Sequence, residues 1–194
     1  MRIAVFGASG RTGRKVVDQA LARGHAVTAF VRDAARLGGD GATVVEGNAQ
    51  DPNAVGEAVA GSDAVISVLA LMSSDAEPEH SEATRTIVEA AEREGVRRVV
   101  VTANNDVFGD DEVTGEFAAH AREHRRNRDR LRASGLDWTM GAAPFVVDEP
   151  GNGYEAVVGA KGPGKRITTA AFAAFTLDAL ERDEWIGRIV GVTS

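Results

Sequence analysis

Gly7, Gly10 and Gly13 stand three residues apart in Gly7-Ala8-Ser9-Gly10-Arg11-Thr12-Gly13, directly after the apolar run Ile3-Ala4-Val5-Phe6. A strand that breaks into a glycine-rich turn and then opens a helix presents backbone N–H groups to a ligand. The helix N-terminus adds about half a positive charge. Ser9, Arg11 and Thr12 place side-chain donors in the same loop. The spacing G-x-x-G-x-x-G is a weaker motif than G-x-G-x-x-G. Its setting between strand and helix is nevertheless the one a dinucleotide requires. The competing reading is a tight strand-to-helix turn without a ligand.

Further candidates follow at the ends of later apolar runs. Thr28-Ala29-Phe30-Val31 ends in Arg32-Asp33. A carboxylate at that point suits the ribose 2′-hydroxyl of NAD, and an arginine suits the 2′-phosphate of NADP. Asp33 fits better as the cap of a short helix, so Arg32 and Arg11 favour NADP(H) over NAD(H). A solvated strand end is the alternative for Arg32. Glu46-Gly47-Asn48-Ala49 ends the third run. Asn48 and Ala49 are expected to pass the adenine, although Gly-Asn is also ordinary turn chemistry. Val68-Leu69-Ala70-Leu71 ends the fourth, and Leu69 and Ala70 should border the ribose and pyrophosphate. Thr102, Ala103 and Asn104 follow the fifth and are expected beside the nicotinamide. Thr102 or Asn104 could hydrogen-bond a carbonyl there.

The acid–base inventory is short. A Tyr-x-x-x-Lys pair would serve alcohol–ketone chemistry, but Tyr154 is the one tyrosine and Val158 stands four residues on. The lysines are Lys15, Lys161 and Lys165. Hydride transfer to an acceptor that takes its proton from water remains open, with orientation as the protein's main contribution. Phe145 and Phe108 are candidate stacking surfaces for a planar acceptor, and Trp138 is either a third or a core residue. His120 and His124 share a helix face at i, i+4. That spacing is metal-compatible, but no third ligand is evident, so no metal is expected. His124 is the better acid–base candidate of the two. Arg122, Arg125, Arg126, Arg128, Arg130 and Arg132 form a basic stripe. It reads as a solvated face balanced by Asp106–Glu116, a partner interface, or an anion site.

The rest of the chain supplies the frame. The 194 residues are 43% hydrophobic and 26% charged, with net charge −7, enough apolar mass for one domain spanning 1–194. The acidic balance argues against general nucleic-acid binding. The absence of cysteine excludes thiol catalysis and disulfides. With an apolar run beginning at Ile3, no signal peptide and no membrane span are expected, and a cytoplasmic protein is the default. Strand-like runs at Arg2–Phe6, Ala26–Val31, Thr43–Glu46, Ala64–Leu69, Arg98–Val101, Trp138–Ala142 and Ile189–Val192 alternate with helical stretches. Those helices are Thr12–Arg23, Pro52–Ala60, Ser81–Glu94, Glu116–Ala133 and Thr169–Arg182. Repeated βα units predict an α/β doubly wound parallel sheet. Pro144–Lys165 reads as loops around one short strand near Tyr154–Val158. The substrate region must therefore be built from loops.

The glycine loop, Val31-Arg32-Asp33, Gly47-Asn48 and Leu131-Arg132-Ala133-Ser134-Gly135-Leu136-Asp137-Trp138-Thr139 resemble atypical short-chain dehydrogenases/reductases. The chain is most similar to the NAD(P)-binding, NmrA-like proteins and the biliverdin reductase B/flavin reductase family. The resemblance implies a Rossmann fold, NADPH, and hydride delivery to a planar acceptor such as a flavin. Two positions depart from it. Ala103 stands where the family usually has serine, and Phe145 where the flavin reductases have histidine. These departures leave open an NADP(H)-binding regulator without catalysis, or an enzyme of isomerisation or cyclisation on the same fold.

Overall fold

The apolar runs become strands of one large sheet in the computed structural model, which describes residues 1–39, 41–70 and 79–194. In chain order they are β1 (Arg2–Phe6), β2 (Ala26–Val31), β3 (Thr43–Glu46), β4 (Ala64–Ser67), β5 (Arg98–Asn104), β6 (Asp137–Ala143), β7 (Phe145–Val147), β8 (Glu155–Val158), β9 (Arg166–Thr168) and β10 (Arg188–Thr193). The main sheet has the order β3-β2-β1-β4-β5-β6-β10-β8. All its neighbours run parallel except β8, which is antiparallel to β10. Helices α1 (Arg11–Ala22), α2 (Pro52–Val59), α3 (Glu79–Arg93), α4 (Ala118–Ala133) and α5 (Thr169–Leu180) cover its two faces.

Burial on both faces explains the near-continuous apolar strands. Ile3, Val5 and Ile66 pack toward α1 and α5, with Val16, Phe172 and Phe175. Ala4, Phe6 and Val65 pack toward α2, α3 and α4, with Val55, Ile87 and Leu131. The alternation follows from the two-residue repeat of an extended chain.

Helix starts are set by local chemistry. Asp51 Oδ1 accepts from the Asn53 N–H at 2.9 Å, with Pro52 opening α2. Thr168 Oγ1 accepts from the Ala171 N–H at 3.1 Å and caps α5. Asp33 accepts from the Ala35 N–H at 3.0 Å and caps the short 3-10 turn Ala34–Arg36. The N-terminus of α1 is different. Gly10 stands at its cap position and no side chain satisfies its first N–H groups.

Three expectations need correction. The Pro144–Lys165 region holds more than one strand, because β7 pairs in parallel with β9 to form a second small sheet. Three-residue strands are too short to show a period. Helix α4 begins at Ala118, after a 3-10 turn at Gly115–Phe117. Strand β5 does not stop at Val101, since Thr102, Ala103 and Asn104 stay in register with Gly141, Ala142 and Ala143 of β6.

β1 lies between β2 and β4. The chain winds outward on one side of it and returns to build the other, so the crevice at the carboxyl ends of β1 and β4 is the topological switch point. Open α/β sheets take their ligands there. Among the described residues, no helix is long and apolar enough to cross a membrane.

Candidate functional site

The glycine loop sits at that crevice. Gly7, just past β1, has φ +81, which favours glycine. A Cβ on it would lie 2.9 Å from the Val68 carbonyl oxygen, so the loop packs directly on the peptide after β4. The Gly10 N–H donates to the Gly7 carbonyl at 3.0 Å and closes the turn. A Cβ on Gly13 would stand 2.0 Å from the same carbonyl. The three glycines therefore bring the first turn of α1 down onto the loop. The uncapped N–H groups of α1 face out of this cradle, with Ser9 and Thr12 half-buried and Gly10 and Arg11 exposed. Such a surface fits a pyrophosphate.

Arg32, one residue past β2, is exposed. Arg11 and Arg32 form no ion pair among the described residues. Asp33 spends its carboxylate on the cap, and Glu46 accepts from the Ala34 N–H at 2.8 Å, which fixes the strand end around Arg32. Asn48 is committed in part to turn chemistry. Its Oδ1 accepts from the Gln50 N–H at 3.0 Å, and its carbonyl accepts from the Asp51 N–H at 2.9 Å. Its amide nitrogen has no such duty. Ala49 is half-buried against the α2 side of the core. Leu69 is half-buried and Ala70 exposed just beyond β4, while Leu71 lies outside the described residues.

On the β5 side Thr102 and Asn104 are occupied, while the buried Asn105 Oδ1 meets no partner among the described residues. The Thr102 hydroxyl is buried and donates to the Ser67 carbonyl at 3.4 Å. The Asn104 Nδ2 donates to Asp106 at 2.8 Å, and its Oδ1 accepts from the Asp106 N–H at 3.1 Å, capping the 3-10 turn Asn105–Phe108. Ala103 is buried against the core. Phe145 starts β7 at the same end of the sheet and is 67% exposed, an apolar ring facing solvent.

Other candidates are carried elsewhere. Phe108 lines a shallow cavity of about 250 Å³ with Trp138, Arg188 and Ile189. Those residues start β6 and β10, so Phe108 is at the amino ends of the strands, away from the glycine loop. Trp138 is 6% exposed and belongs to the core. Tyr154 donates to Asp178 Oδ2 at 2.6 Å, and burial raises its pKa. It borders an open cavity of about 870 Å³ between the carboxyl ends of α1 and α5, with Arg23, Arg182 and Trp185. About 18 Å of helix α1 separates that end from the glycine cradle.

His124 is buried, its Nδ1 meets no partner among the described residues, and burial lowers its pKa to about 3. Burial favours the neutral ring over the imidazolium, which disfavours a proton held there for the acid–base role expected of it. The His120 Nδ1 is likewise buried with no partner among the described residues. Among the described residues, no group of three or more His, Cys, Asp or Glu could hold a metal. Much of the basic stripe is structural. Arg128, 6% exposed, donates to the Val107 carbonyl at 3.2 Å and to Asp110 at 2.7 Å. Arg125 donates to the Asp106 carbonyl at 2.9 Å. These arginines lash the segment after β5 onto α4.

Sequence reasoning missed His80, Glu123 and Asn127. Glu123 is fully buried and accepts from Ser81 N–H at 2.7 Å and Ser81 hydroxyl at 3.1 Å, capping α3 from the neighbouring helix. Asn127 Nδ2 stands 3.0 Å from His80 Nδ1, and His80 Nε2 stands 3.1 Å from the Leu69 carbonyl. Their partners are more than forty residues apart in some cases, so no spacing signals them. The one trace is a polar row, His120, Glu123, His124 and Asn127, on a single face of α4.

A parallel sheet with a glycine cradle at its switch point and an open helix N-terminus above it defines a Rossmann-type dinucleotide-binding protein. The model of the NAD(P)H-binding family matches residues 7–183, and the chain belongs to that family. It is 27% identical to the uncharacterised protein YwnB of Bacillus subtilis, over 95% of this chain and 94% of the relative. A short-chain dehydrogenase/reductase from Veillonella parvula in complex with NADP superposes with TM-score 0.81 at 21% identity, over all of this chain and 94% of that one. A Streptococcus pneumoniae protein with the provisional name NADH-flavin reductase superposes with TM-score 0.84 at 23% identity, over all of this chain and 99% of that one. At those identities the superpositions show a shared fold.

Proposed function

We propose that the chain is an NADPH-dependent reductase that delivers hydride to a small planar acceptor of the flavin type. The observation that carries this reading is the pairing of a built dinucleotide cradle with an acceptor side where Thr102 and Asn104 are occupied and His124 is neutral. Gly7, Gly10 and Gly13 shape the loop, and the backbone N–H groups of α1, with Ser9 and Thr12, hold the pyrophosphate. Arg11 and Arg32 hold the 2′-phosphate as free guanidinium groups, which suit phosphate oxygens in bidentate geometry. Asn48 and Ala49 border the adenine, Leu69 and Ala70 the ribose and pyrophosphate, and Thr102 and Ala103 the nicotinamide. When bound, the reduced nicotinamide supplies the hydride. Thr102, Asn104 and His124 offer no ready acid, so the acceptor must be one that takes its proton from water. The exposed ring of Phe145 offers it a stacking surface. The Streptococcus pneumoniae neighbour's provisional name supports a flavin as acceptor, although it gives NADH and not NADPH as the donor.

Mixing the protein with NADPH and a free flavin, and following loss of reduced-nicotinamide absorbance, tests the reading. Oxidation above the rate without protein supports it. Tight NADPH binding with no oxidation across several planar acceptors would sink it. That outcome would favour the second reading, an NADP(H)-binding regulator without catalysis, which the Ala103 position and the occupied Asn104 motivate.

A further inference from the structure

His80 ties the cofactor end of the sheet to helix α4. Its Nε2 lies 3.1 Å from the Leu69 carbonyl oxygen, which can only accept, so Nε2 carries a hydrogen. Its Nδ1 lies 3.0 Å from Asn127 Nδ2, which can only donate, so Nδ1 is bare. The ring is therefore the neutral Nε2–H tautomer. Its surroundings agree, since His80 is 7% exposed and Asn127 fully buried. The ring meets His124 edge-on at 5.1 Å between centroids, with Glu123 and His120 nearby. Burial holds His80 below the ordinary imidazole range, which also opposes a charged ring.

The far end of this relay touches the glycine loop. Leu69 follows Val68, and the Val68–Leu69 peptide is the surface on which Gly7 packs. The Leu69 carbonyl belongs to the next peptide, joined to the Val68–Leu69 peptide at the Leu69 Cα, so holding it restricts the turn of the chain directly beside the floor beneath Gly7. None of these bonds is needed to build the strand, since β4 ends at Ser67. The relay instead fixes the backbone just beyond it, where cofactor and strand end meet.

We infer that His80, oriented by Asn127, is a positioning residue that anchors the chain at Leu69, one peptide beyond the Val68–Leu69 group that packs on the glycine loop, and so sets the affinity for the dinucleotide. The inference rests on the proposed cofactor site but not on the acceptor.

Long-range 1H–15N spectra of histidine-labelled protein should show His80 as the neutral Nε2–H tautomer at pH 7. An Nδ1–H tautomer or an imidazolium would overturn the assignment. NADPH binding is then measured by titration for His80→Leu, His80→Gln and Asn127→Leu, alongside thermal melting. A glutamine amide can reach where Nε2 stood and donate to Leu69, but cannot accept from Asn127 as the ring does. His80→Leu should weaken NADPH about 10-fold, the scale expected when a remote change displaces a binding group. His80→Gln should stay within about 3-fold of wild type while melting as low as His80→Leu. Asn127→Leu should fall between the two in affinity. Affinity losses that simply track the melting temperature across all three variants would overturn the positioning role. A wild-type chain that binds NADPH but fails to oxidise it whichever planar acceptor is added would sink the reductase reading and leave this one standing. A wild-type chain that binds neither NADPH nor NADH would overturn both.

Discussion

Gly13 approaches the carbonyl oxygen of Gly7 so closely that a Cβ there would stand 2.0 Å from it. The neighbour is backbone, held by the Gly10 N–H bond to the same oxygen, and cannot rotate aside. Gly13→Ala should therefore cost about 3 kcal/mol, the upper range of overpacking. For a chain of this size that is roughly a 6 to 12 °C fall in melting temperature. Gly95 is the control, because it has φ +72 with nothing within 4 Å of a Cβ. Gly95→Ala should cost about 1 kcal/mol and leave NADPH affinity unchanged. Equal melting temperatures for Gly13→Ala and wild type would refute the packing argument.

Arg32 is exposed at the end of β2, with Asp33 committed to its cap. Arg32→Ala should weaken NADPH at least about 10-fold, a loss of about 1.4 kcal/mol, and change NADH less than about 2-fold. Isothermal titration with both cofactors checks this. Equal losses for the two would remove the phosphate role.

Phe145 is 67% exposed, so its removal should hardly touch stability. Phe145→Ala should raise the KM for a planar acceptor about 3- to 10-fold, the value of one aromatic contact. The Kd for NADPH and the melting temperature should hold. An unchanged KM would place the acceptor elsewhere.

Tyr154 donates to Asp178 at the opposite end of α1 from the glycine loop. Tyr154→Phe should leave kcat within about 2-fold and lower stability by about 1 kcal/mol, the net worth of one hydrogen bond. Loss of turnover in steady-state assays would instead give Tyr154 a part in the chemistry.

His124 has an ordinary pKa of 6.5 that falls to about 3 in the fold. Between those values the unfolded chain binds a proton that the folded ring refuses. The contribution is absent as a penalty above pH 6.5 and grows as pH falls toward 3. At pH 5 it amounts to about 2 kcal/mol of lost stability. The buried His80, also lowered, adds in the same direction. Urea unfolding at pH 7 and pH 5 should show this loss in wild type. In His124→Phe the difference between the two pH values should shrink by about 2 kcal/mol. Identical pH slopes would show that the ring is not held neutral.

The parallel sheet was legible because burial on both faces demands apolar strands, and Gly24, Gly61 and Gly95 end helices visibly. The cradle was legible because its parts lie within seven consecutive residues, from Gly7 to Gly13. The cap by Asp33 was readable for the same reason, since side chain and N–H are two residues apart. Phe108 and His124 were harder. Nothing local says that the segment after β5 folds back toward the start of β6, or that a helix face of histidines will be shut against α3.

The sequence by itself determined the strand-and-helix alternation, the glycine cradle and the arginine beside it, because local sterics and periodicity decide those. Only the tertiary structure decided which polar groups are free. Thr102 turns to Ser67, and His124 is sealed and held neutral. It also joined His80 to Leu69 and Asn127, partners 11 and 47 residues away. Burial and long-range hydrogen bonds set these properties, and both arise only when separate elements pack together.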